Sequence, residues 1–75
     1  MIEVTAVRPL ENYRLELSFT TGETRIFDAQ PYLDKGIFTE LKDPLYFRQA
    51  RVSLGTVTWP HEQDFAPETL YIDSQ

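Results

Sequence analysis

From Tyr13 to Phe19 the chain alternates without a break, with Tyr13, Leu15, Leu17 and Phe19 on one side and Arg14, Glu16 and Ser18 on the other. Successive side chains of a strand point to opposite faces, so this segment requires a sheet with one face on a core and one in water. Ile2, Val4 and Ala6 alternate with Glu3 and Thr5 ahead of it, and Pro9, which has no N–H for a ladder, is expected to close that first strand. Leu10 to Asn12 then form a turn. Gly22 in Thr20-Thr21-Gly22-Glu23 suits a tight hairpin into a short strand from Thr24 to Asp28. An opening unit of three antiparallel strands follows.

Beyond Asp28 the period changes. Pro31 near a helix start and Gly36 at its end predict one or two helical turns. Asp43-Pro44, an N-cap acceptor followed by proline at the first helical position, predicts a second helix to about Ala50. Alternation returns from Arg51 to Trp59 around Gly55 as a hairpin or bulged strand, which Pro60 stops. Ala66-Pro67-Glu68 starts a last turn that brings Leu70 and Tyr71 to the core, and Asp73 to Gln75 are expected to fray. The expected architecture is one α+β domain over residues 1–75, with a mainly antiparallel sheet of about five short strands and two short helices on one face. Its core is expected at Val4, Leu15, Leu17, Ile26, Leu41, Phe47, Val57 and Trp59, with Phe19, Phe27, Phe38 and Phe65 also pointing inward.

At 75 residues the core is thin; folding at this size hides about 60% of the surface of the unfolded chain. A homodimer, or another partner, would add burial. With no cysteine, neither a disulfide framework nor a cysteine-based zinc module is available. No apolar run approaches the roughly 20 residues of a membrane span. Met1-Ile2-Glu3-Val4 has neither the basic nor the apolar part of a secretory signal, so a cytoplasmic location is the expectation.

Candidate chemistry is sparse. Ser18, Ser53 and Ser74 lie in no Gly-x-Ser-x-Gly elbow, and there is one histidine. His61, Glu62 and Asp64 bring an imidazole and two carboxylates within four residues, which would allow a divalent metal and, through it, a metal-dependent enzyme. The ordinary reading of so polar a loop is that it is solvated, with no catalytic residue, metal or cofactor. Arg14 and Arg25 are expected together on the wet face of the hairpin, as a cross-strand Arg-Glu-Arg group with Glu16 rather than as a nucleic-acid platform.

Charge is divided unevenly. The net charge is −5, and no lysine or arginine follows Arg51, whereas Glu62, Asp64, Glu68 and Asp73 do. This argues against nucleic acid as a partner. It would steer a basic protein toward the last third of the chain, with Glu62, Asp64 and Glu68 as the partner-binding residues.

The spacing Tyr13-x-Leu15-x-Leu17-x-Phe19, Gly22-Glu23, Phe27-Asp28, Gly36-x-Phe38-x-x-Leu41, Phe47, Val57-x-Trp59-Pro60, Asp64, Pro67 and Leu70-Tyr71 resembles the small bacterial domain-of-unknown-function family 2442 over nearly the whole chain. The resemblance implies a compact α+β domain with no established activity. In that family it sometimes stands alone, sometimes joins a helix-turn-helix segment, and is often encoded beside another small protein in a toxin-antitoxin-like arrangement. His61-Glu62 departs from the Asn-Gly that usually follows Trp-Pro in the family, which leaves the shape of that tight turn open. Together these readings favour a non-catalytic interaction or regulatory module, an accessory or antitoxin-like partner of a small basic protein. The alternatives are an acidic inhibitor that imitates nucleic acid and a metal-dependent enzyme using the His61 loop.

Overall fold

A computed structural model describes all residues, Met1–Gln75. The fold is α+β, with six strands rather than about five, and they form two antiparallel three-stranded sheets rather than one. The first sheet has the order β1 (Val4–Leu10), β2 (Arg14–Phe19), β3 (Thr24–Asp28), and the second β4 (Arg51–Ser53), β5 (Thr56–Thr58), β6 (Asp64–Phe65). Short 3-10 turns at Gln30–Tyr32 and Gly36–Lys42 and two helices, α1 (Pro44–Phe47) and α2 (Pro67–Ile72), connect and cover them. Asp43 caps α1 as its type suggests, its carboxylate accepting from the Leu45 amide at 3.0 Å.

The alternation in β2 is realised as written: Leu15, Leu17 and Phe19 are buried and their intervening neighbours are not. In β1 it is interrupted. A bulge between Val4 and Ala6 shifts the pairing by one residue, so Ala6 lies opposite Ser18 and faces solvent, while Val7 and Pro9, opposite Leu17 and Leu15, turn toward the core. Pro9 therefore lies inside the strand rather than ending it. Ile26 exchanges both backbone bonds with Gln75, so by the alternation of an antiparallel ladder Glu16 bonds across to β1 and Leu15 to β3. Pro9 then sits in a non-bonded pair, and its missing N–H points off the edge of the sheet.

The same register corrects two expectations on β3. Ile26 lies opposite Glu16 on the outer face, only half-buried and outside the core. Arg25 lies opposite Leu17 on the inner face, away from Arg14, so no Arg14-Glu16-Arg25 group forms; Glu16 pairs instead with Arg8 at 3.1 Å.

A run of aromatic rings joins the sheets. Phe65 on β6 meets Phe27 on β3 (centroids 5.1 Å apart), Tyr32 (5.2 Å), Phe38 (4.7 Å, stacked) and Trp59 (5.9 Å). Trp59 continues to Phe47 on α1, whose carbonyl accepts its indole N–H at 3.0 Å, and Phe47 continues to Tyr13. Each buried ring contributes about 1.5–3 kcal/mol by leaving water, and edge-to-face pairs add to that. Phe38 is half-buried at the rim of this cluster.

The β4–β5 turn uses backbone that residue type alone does not favour. Leu54 (φ 53) and Gly55 (φ 78) make the two-residue β4–β5 turn left-handed at both positions, the hairpin geometry that matches strand twist. The carboxyl end does not fray. Ser74 is buried and bridges to Phe27, and Gln75 exchanges bonds with Ile26 at 2.6 and 2.8 Å, adding a short fourth strand segment at the β3 edge.

Candidate functional site

The loop from Trp59 to Asp64 is closed by two backbone bonds, Glu62 N–H to Trp59 O at 2.9 Å and Trp59 N–H to Gln63 O at 3.0 Å. Glu62 at its tip takes φ 72, in the left-handed region. The tight turn is thus formed without glycine, and glutamate carries the strain. Asp64 follows on β6 opposite Thr58 and faces out, because Phe65, its neighbour on the strand, faces in. Glu68 sits in the first turn of α2 after Pro67, where the helix dipole favours an acid. All three carboxylates are exposed. None meets a cation: the four ion pairs of the fold use Glu16, Glu23, Asp34 and Glu40.

Beneath this loop lies a polar network with no clear signal in the sequence. Gln63 is 2% exposed; its amide nitrogen donates to Ile37 O at 3.1 Å and to Glu40 Oε1 at 2.8 Å, and its carbonyl accepts from the Tyr46 hydroxyl at 2.6 Å. That hydroxyl also accepts from the His61 amide at 2.8 Å. The His61 ring stacks on Tyr46 with centroids 5.2 Å apart, and its Nδ1 donates to Glu40 Oε2 at 2.6 Å. The loop is anchored by one buried amide that uses its donors and its acceptor at once.

The three residues weighed for a metal are not brought together. His61 turns to Glu40 rather than joining Glu62 and Asp64, and no three His, Asp or Glu side chains converge on one point. The serines do not meet the imidazole either. Ser74 Oγ accepts from Arg25 Nε at 2.9 Å and donates to Tyr71 O at 3.0 Å, while Ser53 lies on β4 and Ser18 on the outer face of β2.

A second polar cluster holds the carboxyl end. The Arg25 guanidinium lies 4.4 Å from the Tyr71 ring centre and donates to Ser74 O at 2.7 Å and to Glu23 Oε2 at 3.1 Å. The Tyr71 hydroxyl donates to Glu23 Oε1 at 2.6 Å. That bond, then the Thr21 hydroxyl and the Arg25 guanidinium, hold the Glu23 carboxyl below its ordinary pKa, and the same bond raises that of Tyr71. Asp73 likewise raises the Tyr32 phenol through their hydrogen bond. These groups are engaged with one another.

The fold and the loop define an α+β domain whose Glu62, Asp64 and Glu68 carboxylates are exposed and meet no cation. The chain belongs to the family described as "Protein of unknown function (DUF2442)", whose model matches residues 4–74. A crystal structure from Nitrosomonas europaea ATCC 19718, described as a "Putative DNA Binding Protein", superposes with a TM-score of 0.85 at 28% identity, over 97% of this chain and 48% of that one. The chain therefore spans about half of that protein. No curated protein shows significant similarity. No helix is long and apolar enough to cross a membrane.

Proposed function

We propose that this domain is a non-catalytic interaction module whose last third receives a basic protein partner, an accessory or antitoxin-like role. The observation that carries the reading is the pairing pattern. Three of the seven lysines and arginines, Arg8, Arg25 and Lys42, are matched to Glu16, Glu23 and Asp34, whereas Glu62, Asp64 and Glu68 are exposed with no cation against them. Unneutralised carboxylates on turns and helix starts attract an oppositely charged surface at long range and lose little conformational freedom in meeting it. The stacked and bonded loop beneath them, His61 on Tyr46 and Gln63 on Glu40, supports the same reading by holding Glu62 and Asp64 in place.

DNA contact, which the description of the Nitrosomonas europaea protein names for that longer chain, is not part of this reading. The net charge of −5 and the absence of any base after Arg51 weigh against a phosphate-binding face on this domain.

Affinity capture of the tagged chain from its native cells, at moderate salt and with nuclease treatment, tests the proposal. A stoichiometric basic protein that survives nuclease is the expected result. A partner displaced by duplex nucleic acid would indicate an acidic mimic occupying a nucleic-acid groove. Recovery of the domain alone would overturn the reading.

A further inference from the structure

The turn Leu10–Tyr13 and the start of α1 border an open cleft of about 260 Å³, lined by Leu10, Asn12, Tyr13, Pro44 and Phe47. It adjoins a shallower hollow of about 430 Å³ lined by Pro9, Leu10, Glu11 and Arg48, so Glu11 and Arg48 border both. These two charged groups stand at the same opening yet form no ion pair with each other or with any other residue. The wall is built from strained backbone: Asn12 (φ 61) and Tyr13 (φ 60) are consecutive left-handed residues, neither of them glycine. Surrounding contacts impose that conformation. The Tyr13 hydroxyl donates to Lys42 O, the Ala29 amide to Tyr13 O, and Arg14 Nε to Glu11 O. Strain of this kind persists only where the rest of the fold over-determines it, and it gathers at ligand clamps.

The chemistry of the opening selects the ligand. One cation and one anion flank an apolar hollow, so a phosphate or a nucleotide would meet Glu11 as well as Arg48. A molecule with a carboxylate, an ammonium and an apolar body satisfies all three surfaces.

We propose that the cleft is a binding site for a free apolar α-amino acid, with its carboxylate on Arg48, its ammonium on Glu11 and its side chain over Leu10, Tyr13 and Pro44. The site uses none of Glu62, Asp64 or Glu68 and is independent of the partner reading.

Amide chemical-shift titration of the whole chain with L-phenylalanine tests it. Saturable shifts are expected at Leu10–Tyr13 and Leu45–Arg48. Glycine, phenylacetate, phenethylamine and N-acetylphenylalanine amide, each lacking one or more of the three features, should bind at least about tenfold more weakly. Arg48→Met and Glu11→Gln should each weaken L-phenylalanine about tenfold while the remaining spectrum keeps its dispersion. No shifts at these amides up to about 10 mM, equal binding of the neutral amide, or unchanged affinity in both variants would overturn the site.

Discussion

At Glu62 the backbone is left-handed with an ordinary side chain, held there by the Glu62–Trp59 and Trp59–Gln63 backbone bonds, the His61 amide on Tyr46 and the buried Gln63 amide. A non-glycine residue in that region costs about 1–2 kcal/mol, partly offset by the greater freedom glycine gives the unfolded chain. Glu62→Gly should therefore raise the unfolding free energy by about 0.5–1 kcal/mol, read from the urea midpoint. Gln63→Leu should act in the opposite direction and more strongly. It leaves the Tyr46 hydroxyl and the Ile37 carbonyl without their partner, and a loss of about 1–3 kcal/mol in the same titration is expected. The exposed positions of Glu62, Asp64 and Glu68 follow from sequence, because each is a charged residue beside an inward-facing neighbour or in a helix start. Gln63 does not, because its burial depends on Ile37, Glu40 and Tyr46, which come to it from far along the chain.

Among the elements, the faces of β2 and the bounds of β3 are legible from period and turn residues alone, whereas the faces of β3 are not. Nor is the bulge in β1, since a one-residue slip is set by the strand it pairs with and not by local propensity. Ile26 follows the same rule: its face is decided by register with Glu16. The carboxyl tail was the least legible element, because Asp73-Ser74-Gln75 has no strand pattern and its partners, Arg25, Ile26 and Phe27, lie near the other end of the chain. Its removal has a definite expected cost. Deleting residues 73–75 takes away both Ile26–Gln75 bonds, the Arg25–Ser74 bonds and the Tyr32–Asp73 bond, so the urea unfolding free energy should fall by about 2–4 kcal/mol. The bared β3 edge should also raise the tendency to self-associate, visible as concentration-dependent scattering. Unchanged stability would mean that the tail is not paired in solution.

For the molecule as a whole, the sequence identified α+β architecture and most of the core but not the division into two sheets. That division rests on Phe65 and Trp59 packing across to Phe27, which no local pattern reveals. The charge network predicts how stability varies with pH. Arg8, Tyr71 and Lys42 hold Glu16, Glu23 and Asp34, respectively, below their ordinary values of 4.5, 4.5 and 3.8, so the stability these acids contribute is complete above those values and is lost as pH falls through the depressed ones. Tyr32 and Tyr71 are raised above 10.0, so their contribution is complete below that value and is lost as pH rises past it. Urea midpoints should be flat near neutrality and decline on both sides, and Glu23→Gln should shallow both limbs because it removes the partner of Tyr71 and of Arg25.

The interaction reading depends most directly on the association rate between this chain and its captured basic partner. That rate should be measured for the wild type and for the Glu62→Lys, Asp64→Lys, Glu68→Lys triple variant at low and high salt. Steering by these carboxylates predicts that reversal slows association at least about tenfold at low salt, and that the difference shrinks as screening shortens the Debye length toward about 3 Å at 1 M. Equal association rates for the two proteins at low salt would contradict it.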